Sequence, residues 1–290
     1  MTPARWLGSP PEPRFTLTVL GDVRIELRAR IPARFTGMDT DRLVYAPLRP
    51  LVAGTAVNFA RNAREHFKHI GILGRVGDDS FTPVIRAALR DLGVTDLLYA
   101  DPEQENGCAV MLRDPGARLL VAGERAPRLT SDDVRAGRAA IAASDLLVAD
   151  GYALLEERSR AALLEAMALA RSHGTPVAFD LVPHDLPDRL SLSGVLPALE
   201  LADVVITEVP TLAGLLEEDA PLPGRLDGLT GHDPLWLLRD GPTALEHVLA
   251  YRRGRLRLDY PTGFRSGVTE RTGFGDRLTA SELYWWLSNR

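Results

Sequence analysis

The chain has 290 residues, 45% hydrophobic and 25% charged, which are values of an ordinary globular protein and exclude a disordered, collagen-like or coiled-coil chain. Its net charge is −5, from 34 basic and 39 acidic side chains, so it exerts no global pull on nucleic acid or an anionic membrane, and neither is an expected partner. One cysteine, Cys108, leaves no intrachain disulfide and suits a reducing, cytoplasmic setting.

Residues 1–14 are Pro-rich, lack an apolar stretch long enough for a signal peptide, and read as a flexible extension. Nowhere does an uncharged apolar run approach the ~20 residues of a membrane span. The histidines form no H-x-x-x-H or Cys/His cluster, which argues against structural zinc.

Phe15 to Leu20 is an apolar run that reads as a buried strand. Residues 23–53 are short and β-leaning, punctuated by Pro32, Pro47 and Pro50. Thr55 can cap a helix running to about Phe67. Ile70 to Val76 is a strand. Ser80 can cap a helix that buries Val84, Ile85, Ala88, Leu89 and Leu92 and stops at Gly93. Residues 108–113 and 118–122 form a hairpin about Asp114 to Ala117. Alternation follows: a helix opened by Thr130 to Asp133, a strand at Leu146 to Ala149, a helix from Glu156 to Ser172. Strands follow at Pro176 to Phe179 and Val204 to Ile206, then a helix near Thr211 to Glu217 and a strand at Leu235 to Leu238. A hairpin turns at Arg252 to Gly254, and the last helix spans about Gly275 to Ser288. Strands alternating with helices need crossovers, hence a parallel sheet covered on both faces. Segments 23–53 and 108–122 break the alternation and are expected to form a small separate sheet. In such folds ligands sit beyond the carboxyl ends of the strands. The positions that follow strands include Asp22, Asp150, Asp180, Glu208 and Arg239 to Gly241.

Four segments carry chemistry. Thr272-Gly273-Phe274-Gly275-Asp276 opens the last helix, where free N–H groups converge into an anion site. Asp276 beside it can take a proton from an attacking hydroxyl. Cradle plus base is what phosphoryl transfer requires, although a Gly-rich turn whose Asp favours the helix dipole also explains these residues. Gly54 permits close backbone approach and Asn58 offers a donor and acceptors to a polyol, or else the two simply belong to a capped helix. Gly74 to Phe81 is sound turn chemistry that needs no ligand. Asp22, Arg24 and Glu26 share one face by period-two alternation, as a polar pocket wall or as the wet face of an edge strand.

In this order and spacing, and together with Leu92-Gly93-Val94 and Ala202 to Ile206, the segments resemble the ribokinase-like (PfkB) family of carbohydrate and nucleoside kinases, from Phe15 to the end. The resemblance implies an α/β domain over 15–290, a parallel-sheet three-layer αβα core with a small β lid from about 23–53 and 108–122. In some members that lid also makes a homodimer. It implies an ATP-dependent phosphotransferase acting on a hydroxyl of a sugar, sugar derivative or nucleoside, with ATP and Mg2+ as cofactors. Asp276 then matches the general base, and Gly273, Phe274 and Gly275 with Asp276 match the anion hole. Asp22, Arg24, Gly54 and Asn58 fall around the acceptor. Arg239, Gly241 and Arg271 fall near the nucleotide, and Glu208 gives weak help to the metal.

The sequence departs from the family at Ala53, Phe274, Glu270-Arg271, Thr207 to Pro210, Asp180 to His184 and Arg239. These changes fall harder on the nucleotide and metal half than on the sugar half. Two readings follow: an active kinase, or a catalytically impaired relative that binds a small ligand or partner without phosphoryl transfer.

Overall fold

The computed structural model describes residues 10, 12–35, 40, 41, 43–123, 126–217, 223–265 and 273–290. Among them are thirteen strands: β1 (Arg14–Leu20), β2 (Arg24–Arg30), β3 (Leu48–Ala53), β4 (Phe67–Gly77), β5 (Thr95–Asp101), β6 (Cys108–Arg113), β7 (Arg118–Ala122), β8 (Leu146–Asp150), β9 (Val177–Asp180), β10 (Val204–Glu208), β11 (Leu235–Asp240), β12 (His247–Arg252) and β13 (Arg255–Pro261). Nine build one sheet in the order β13-β12-β11-β10-β9-β8-β1-β4-β5, and the other four build a second sheet, β3-β2-β6-β7. From β5 to β11 every pairing is parallel, while β12 and β13 add an antiparallel hairpin at one edge.

Strands β8 and β9 are apolar up to their terminal aspartates because helices cover both of their faces. Alternate residues of one strand enter different cores. Leu146, Val204 and Leu235 pack with helices Thr55–Ala63, Thr82–Asp91 and Phe274–Leu287. Leu147, Val205 and Trp236 pack on the opposite side with helices Glu157–Ser172, Leu192–Leu199 and Val209–Leu216. This is the expected three-layer αβα core, and the second sheet is the expected small lid.

Local chemistry sets most boundaries. Thr130 accepts from the Asp133 N–H while Asp133 accepts from the Thr130 N–H, a reciprocal cap on helix Ser131–Ala136. The expected helix to Phe67 ends instead at Ala63, because Phe67 already pairs with Arg14 as the first rung of β4. Ser80 caps nothing. The Asp79 carboxylate takes the Phe81 N–H at 2.7 Å, and Val84 faces solvent rather than the core. Strand β5 was not expected. It extends the sheet parallel to β4 on the strength of Leu98, without an alternation that marks it in the sequence. Residues 1–9 and 11 of the N-terminal extension lie outside the described residues. Among the described residues no helix is long and apolar enough to cross a membrane.

Candidate functional site

Strands β8, β9, β10 and β11 end side by side on Asp150, Asp180, Glu208 and Asp240. Four carboxylates at the carboxyl edge of a parallel sheet are costly unless something answers their charge. The terminal helix begins opposite them. Gly273 stands at its N-cap with φ +79, a conformation that L side chains rarely adopt, and Phe274 opens the helix. No described residue accepts from the N–H groups of Phe274, Gly275 or Asp276, the donors that a helix N-terminus leaves without an intrahelical partner. The Phe274 ring does not fill the space in front of them. It is 7% exposed, turned back onto Leu245, Leu278 and Phe264, with ring centroids 5.0 Å apart for the Phe264 pair.

A cleft of about 280 Å³ runs along this edge and is lined by Asn58, Glu208, Arg239, Gly273, Gly275 and Asp276, among others. A hollow of about 220 Å³ adjoins it, sharing Asn58, Asp180, Asp276 and Thr279 and adding Thr55, Asp150 and Tyr152. Asp276 therefore stands on the wall common to both. Burial raises its pKa to about 6, against the pull of Arg61. Burial also raises Asp180 to about 7; Arg239 opposes this, while Asp276, Asp150 and Glu208 add to it. Asp150 rises to about 6 through burial and the nearby Asp22, with Thr55 and the Tyr152 N–H opposing.

The residues expected around an acceptor are joined through the backbone and one side chain. Gly54 has φ +106, and a Cβ there would stand 2.1 Å from the Asp22 carbonyl oxygen, so only glycine lets the chain pass. The Asp22 N–H donates to Thr55 Oγ1 at 3.1 Å, and Thr55 Oγ1 donates to Asp150 at 2.5 Å. Asp22 itself pairs with Arg24 Nε at 2.8 Å and opens onto a separate hollow that shares Asp150 and Tyr152. Asn58 accepts from Arg61 through its side chain at 3.2 Å, and its own carbonyl takes Asn62 Nδ2 at 2.8 Å. Asp79, by contrast, is structural. Against the cost of burial, hydrogen bonds from Asn106, Phe81 and Thr82 hold its pKa low, and they tie the β4 turn to the root of the lid.

At the other end the charges answer one another. Arg239, at the end of β11, is 4% exposed and donates to both oxygens of Glu282, at 2.7 and 2.6 Å, and to Thr279 at 3.0 Å. Tyr260 donates to the same Glu282 at 2.5 Å. Glu208 lies 2.9 Å from His184 Nδ1. Gly241 has φ +103 in the following turn, where Glu246 fills the space a side chain would need. The cleft is lined there by Ala244 and Leu245 and not by Gly241. Arg271 lies outside the described residues. Among the described residues no group of three or more His, Cys, Asp or Glu side chains is arranged to hold a metal.

Asn58, Glu208, Arg239, Gly273, Gly275 and Asp276 thus share one cleft, and Gly54 shapes its approach. Asp150, Asp180, Thr55, Tyr152 and Arg118 line the same space and were not among the expected site residues. The two aspartates were marked in the sequence only by their place after an apolar strand, as in Leu146–Asp150 and Val177–Asp180.

Residues 48–221 match the model of the pfkB family carbohydrate kinases. The chain belongs to the pfkB family. A 5-dehydro-2-deoxygluconokinase from Photobacterium profundum is 29% identical over 166 residues, covering 56% of this chain and 48% of that protein. A second, from Shouchella clausii, is 29% identical over 45% of this chain and 41% of its own length. The chain thus spans about half the length of the curated relatives it matches. Among solved structures, an adenosine kinase from Sinorhizobium meliloti has a TM-score of 0.77 at 20% identity, over 95% of this chain and 88% of that one. A sugar kinase from Pyrococcus horikoshii in complex with ATP gives 0.72 at 15% identity, over 91% and 82%. At such identities the likeness is one of fold. The pfkB match ends short of the terminal helix, so Gly273 to Asp276 stand on their own geometry.

Proposed function

We propose that this pfkB-family chain transfers the γ-phosphoryl group of ATP to a hydroxyl of a sugar, sugar derivative or nucleoside, with Asp276 as general base. The observation that carries the reading is the place of Asp276, on the wall shared by two hollows and at a helix N-terminus whose first three N–H groups find no acceptor among the described residues. ATP with Mg2+ would supply the phosphoryl group and the positive charge that steadies it. The chain's residues fit such a guest. The amides of Phe274, Gly275 and Asp276 suit phosphate oxygens, and the Glu208 carboxylate suits a hard cation. Gly54 and Asn58 hold the acceptor with Thr55, Asp150 and Asp180, and Asp22 braces them from behind. Asp276 accepts the proton of the acceptor hydroxyl on its carboxylate. A base whose pKa has risen to about 6 lies nearer the operating pH than an exposed aspartate does. The β11 turn carrying Arg239 and Gly241 walls the nucleotide side, Arg239 as a neutralised structural cation.

The test is ADP release with Mg-ATP across a panel of neutral sugars, sugar acids, sugar phosphates and nucleosides. Turnover with none of them contradicts the proposal. A second reading, a ligand-binding relative without phosphoryl transfer, draws support from the pairing of Arg239 with Glu282 and of Glu208 with His184. Its mark is thermal stabilisation by a sugar with none by Mg-ATP.

The lid's outer face bears on assembly. Leu27, Val110, Leu119 and Val121 share it by register and are exposed. A second copy of the chain covers this face in a two-fold dimer, because an apolar patch of that kind is self-complementary. Sedimentation of Val121→Glu checks it: a monomer is expected, and an unchanged mass contradicts the dimer. The exposed free thiol of Cys108 fits a cytoplasmic setting.

A further inference from the structure

The lid gathers its strand charges on one face. Registered partners in a sheet share a face. In the lid, Ile25, Leu27 and Ala29 of β2 pair with Cys108, Val110 and Leu112 of β6 and with Val52, Pro50 and Leu48 of β3. That face carries no charge. The opposite face carries Arg24, Glu26, Arg28 and Arg30 of β2, Arg49 of β3, Arg113 of β6 and Arg118 of β7. Six arginines stand against one glutamate.

The arginines are also stacked. Arg28 is registered against Arg49, and Arg30 against Arg113, which is in turn registered against Arg118. Like charges directly opposite on a sheet are destabilising. Arg24 is answered by Asp22 and Arg28 by Glu26, the latter at 2.6 Å. Among the described residues no carboxylate pairs with Arg30, Arg49 or Arg118. Face and cleft meet: Arg118 lines the cleft with Asn58 and Asp276. Arg61, on the helix beneath, feels Arg28, Glu26 and Asp276 together, and burial and Arg28 lower its pKa. A negative charge placed between these rows relieves their repulsion.

We infer that the acceptor carries an anionic group, a carboxylate or a phosphate, bound by the arginine rows on the inward face of the lid; this rests on the kinase reading above. The hydroxyl to be phosphorylated then points at Asp276 while the anionic end points at Arg118, the cleft end of the Arg30–Arg113–Arg118 row. A neutral polyol lacks the contacts with the arginine rows.

Binding to the full chain without nucleotide, by titration calorimetry, tests this independently of turnover. The probes are D-gluconate and D-glucose 6-phosphate, with D-glucose as their neutral counterpart; the acid and phosphate arms distinguish the two sources of charge. At least one anion should bind about tenfold or more tighter than glucose. Arg118→Gln and Arg49→Gln should each remove about tenfold for that anion and leave glucose unchanged. Both side chains are exposed, so melting curves should show the fold intact. Glucose binding as tightly as either anion overturns the inference. So does no binding by either anion, or anion binding that neither variant weakens. Variants that weaken ADP instead of the acceptor overturn it as well. An acid that binds through these arginines without releasing ADP from Mg-ATP leaves this inference standing and removes the kinase reading.

Discussion

The two ends of the cleft differ in how their charges are answered. Beneath the lid, burial lifts Asp150, Asp180 and Asp276 well above ordinary carboxylates, and the cations in reach only oppose that rise. At the far end Arg239 donates to Glu282 and Thr279, Tyr260 donates to the same Glu282, and Glu208 is met by His184. The first end gives up stability and keeps its polar groups ready for a guest. The second is closed upon itself and contributes to the fold. Strain gathered where a ligand binds and satisfied groups elsewhere are what a preorganised site requires.

The largest effect that breaks this contrast lies at the closed end. Glu282→Leu should strand the Arg239 charge, which is buried, and cost about 3–5 kcal/mol in chemical denaturation. The double variant with Arg239→Met should recover most of that. If Glu282→Leu costs nothing, the far end is not held by this pair. Next comes Asp180. Its folded-state pKa, about 7 against 3.8, lies above the unfolded value, so its contribution is favourable at low pH and is lost as pH rises through about 7. Asp180→Asn should therefore stabilise the fold at pH 8, by on the order of 2 kcal/mol, and change little at pH 3.5. Destabilisation at pH 8 would mean that the carboxylate is answered in the apo fold. The smallest effect is at His184, which is 67% exposed. His184→Gln should move stability by less than about 1 kcal/mol. It should lower the Mg2+ concentration needed for half-maximal ADP release, because Glu208 is then free to meet the cation. An unchanged Mg2+ requirement removes Glu208 from any metal role.

Much of the architecture was legible because apolar runs and capping residues state it locally. Thr130 and Asp133 announced their helix, and the hairpins at Asp114 to Ala117 and Arg252 to Gly254 announced their turns. Strand β5 was not legible, since its place at the sheet edge comes from β4 and not from its own alternation. In the site, Gly54, Asn58, Gly273 and Asp276 were legible because glycines and an Asp at a helix start do recognisable work. Asp150 and Asp180 were readable only as strand ends. Their raised pKa values arise from burial against residues distant in sequence, which no local motif encodes. Arg239 reads in sequence as a cation facing the nucleotide, and its partner Glu282 lies forty-three positions away. The same distance hides the lid's arginine rows, which appear only once β2, β3, β6 and β7 are placed in register.

The central claim is that Asp276 deprotonates the acceptor, and the most direct measurement is kcat for ADP release by Asp276→Asn beside the native chain. With binding and melting temperature maintained, the account predicts a fall of about 10²–10⁴ in kcat. In the native chain kcat/KM should decline as pH drops through about 6, where the Asp276 carboxylate takes up its proton. An Asn variant that turns over as fast as the native protein would contradict the account.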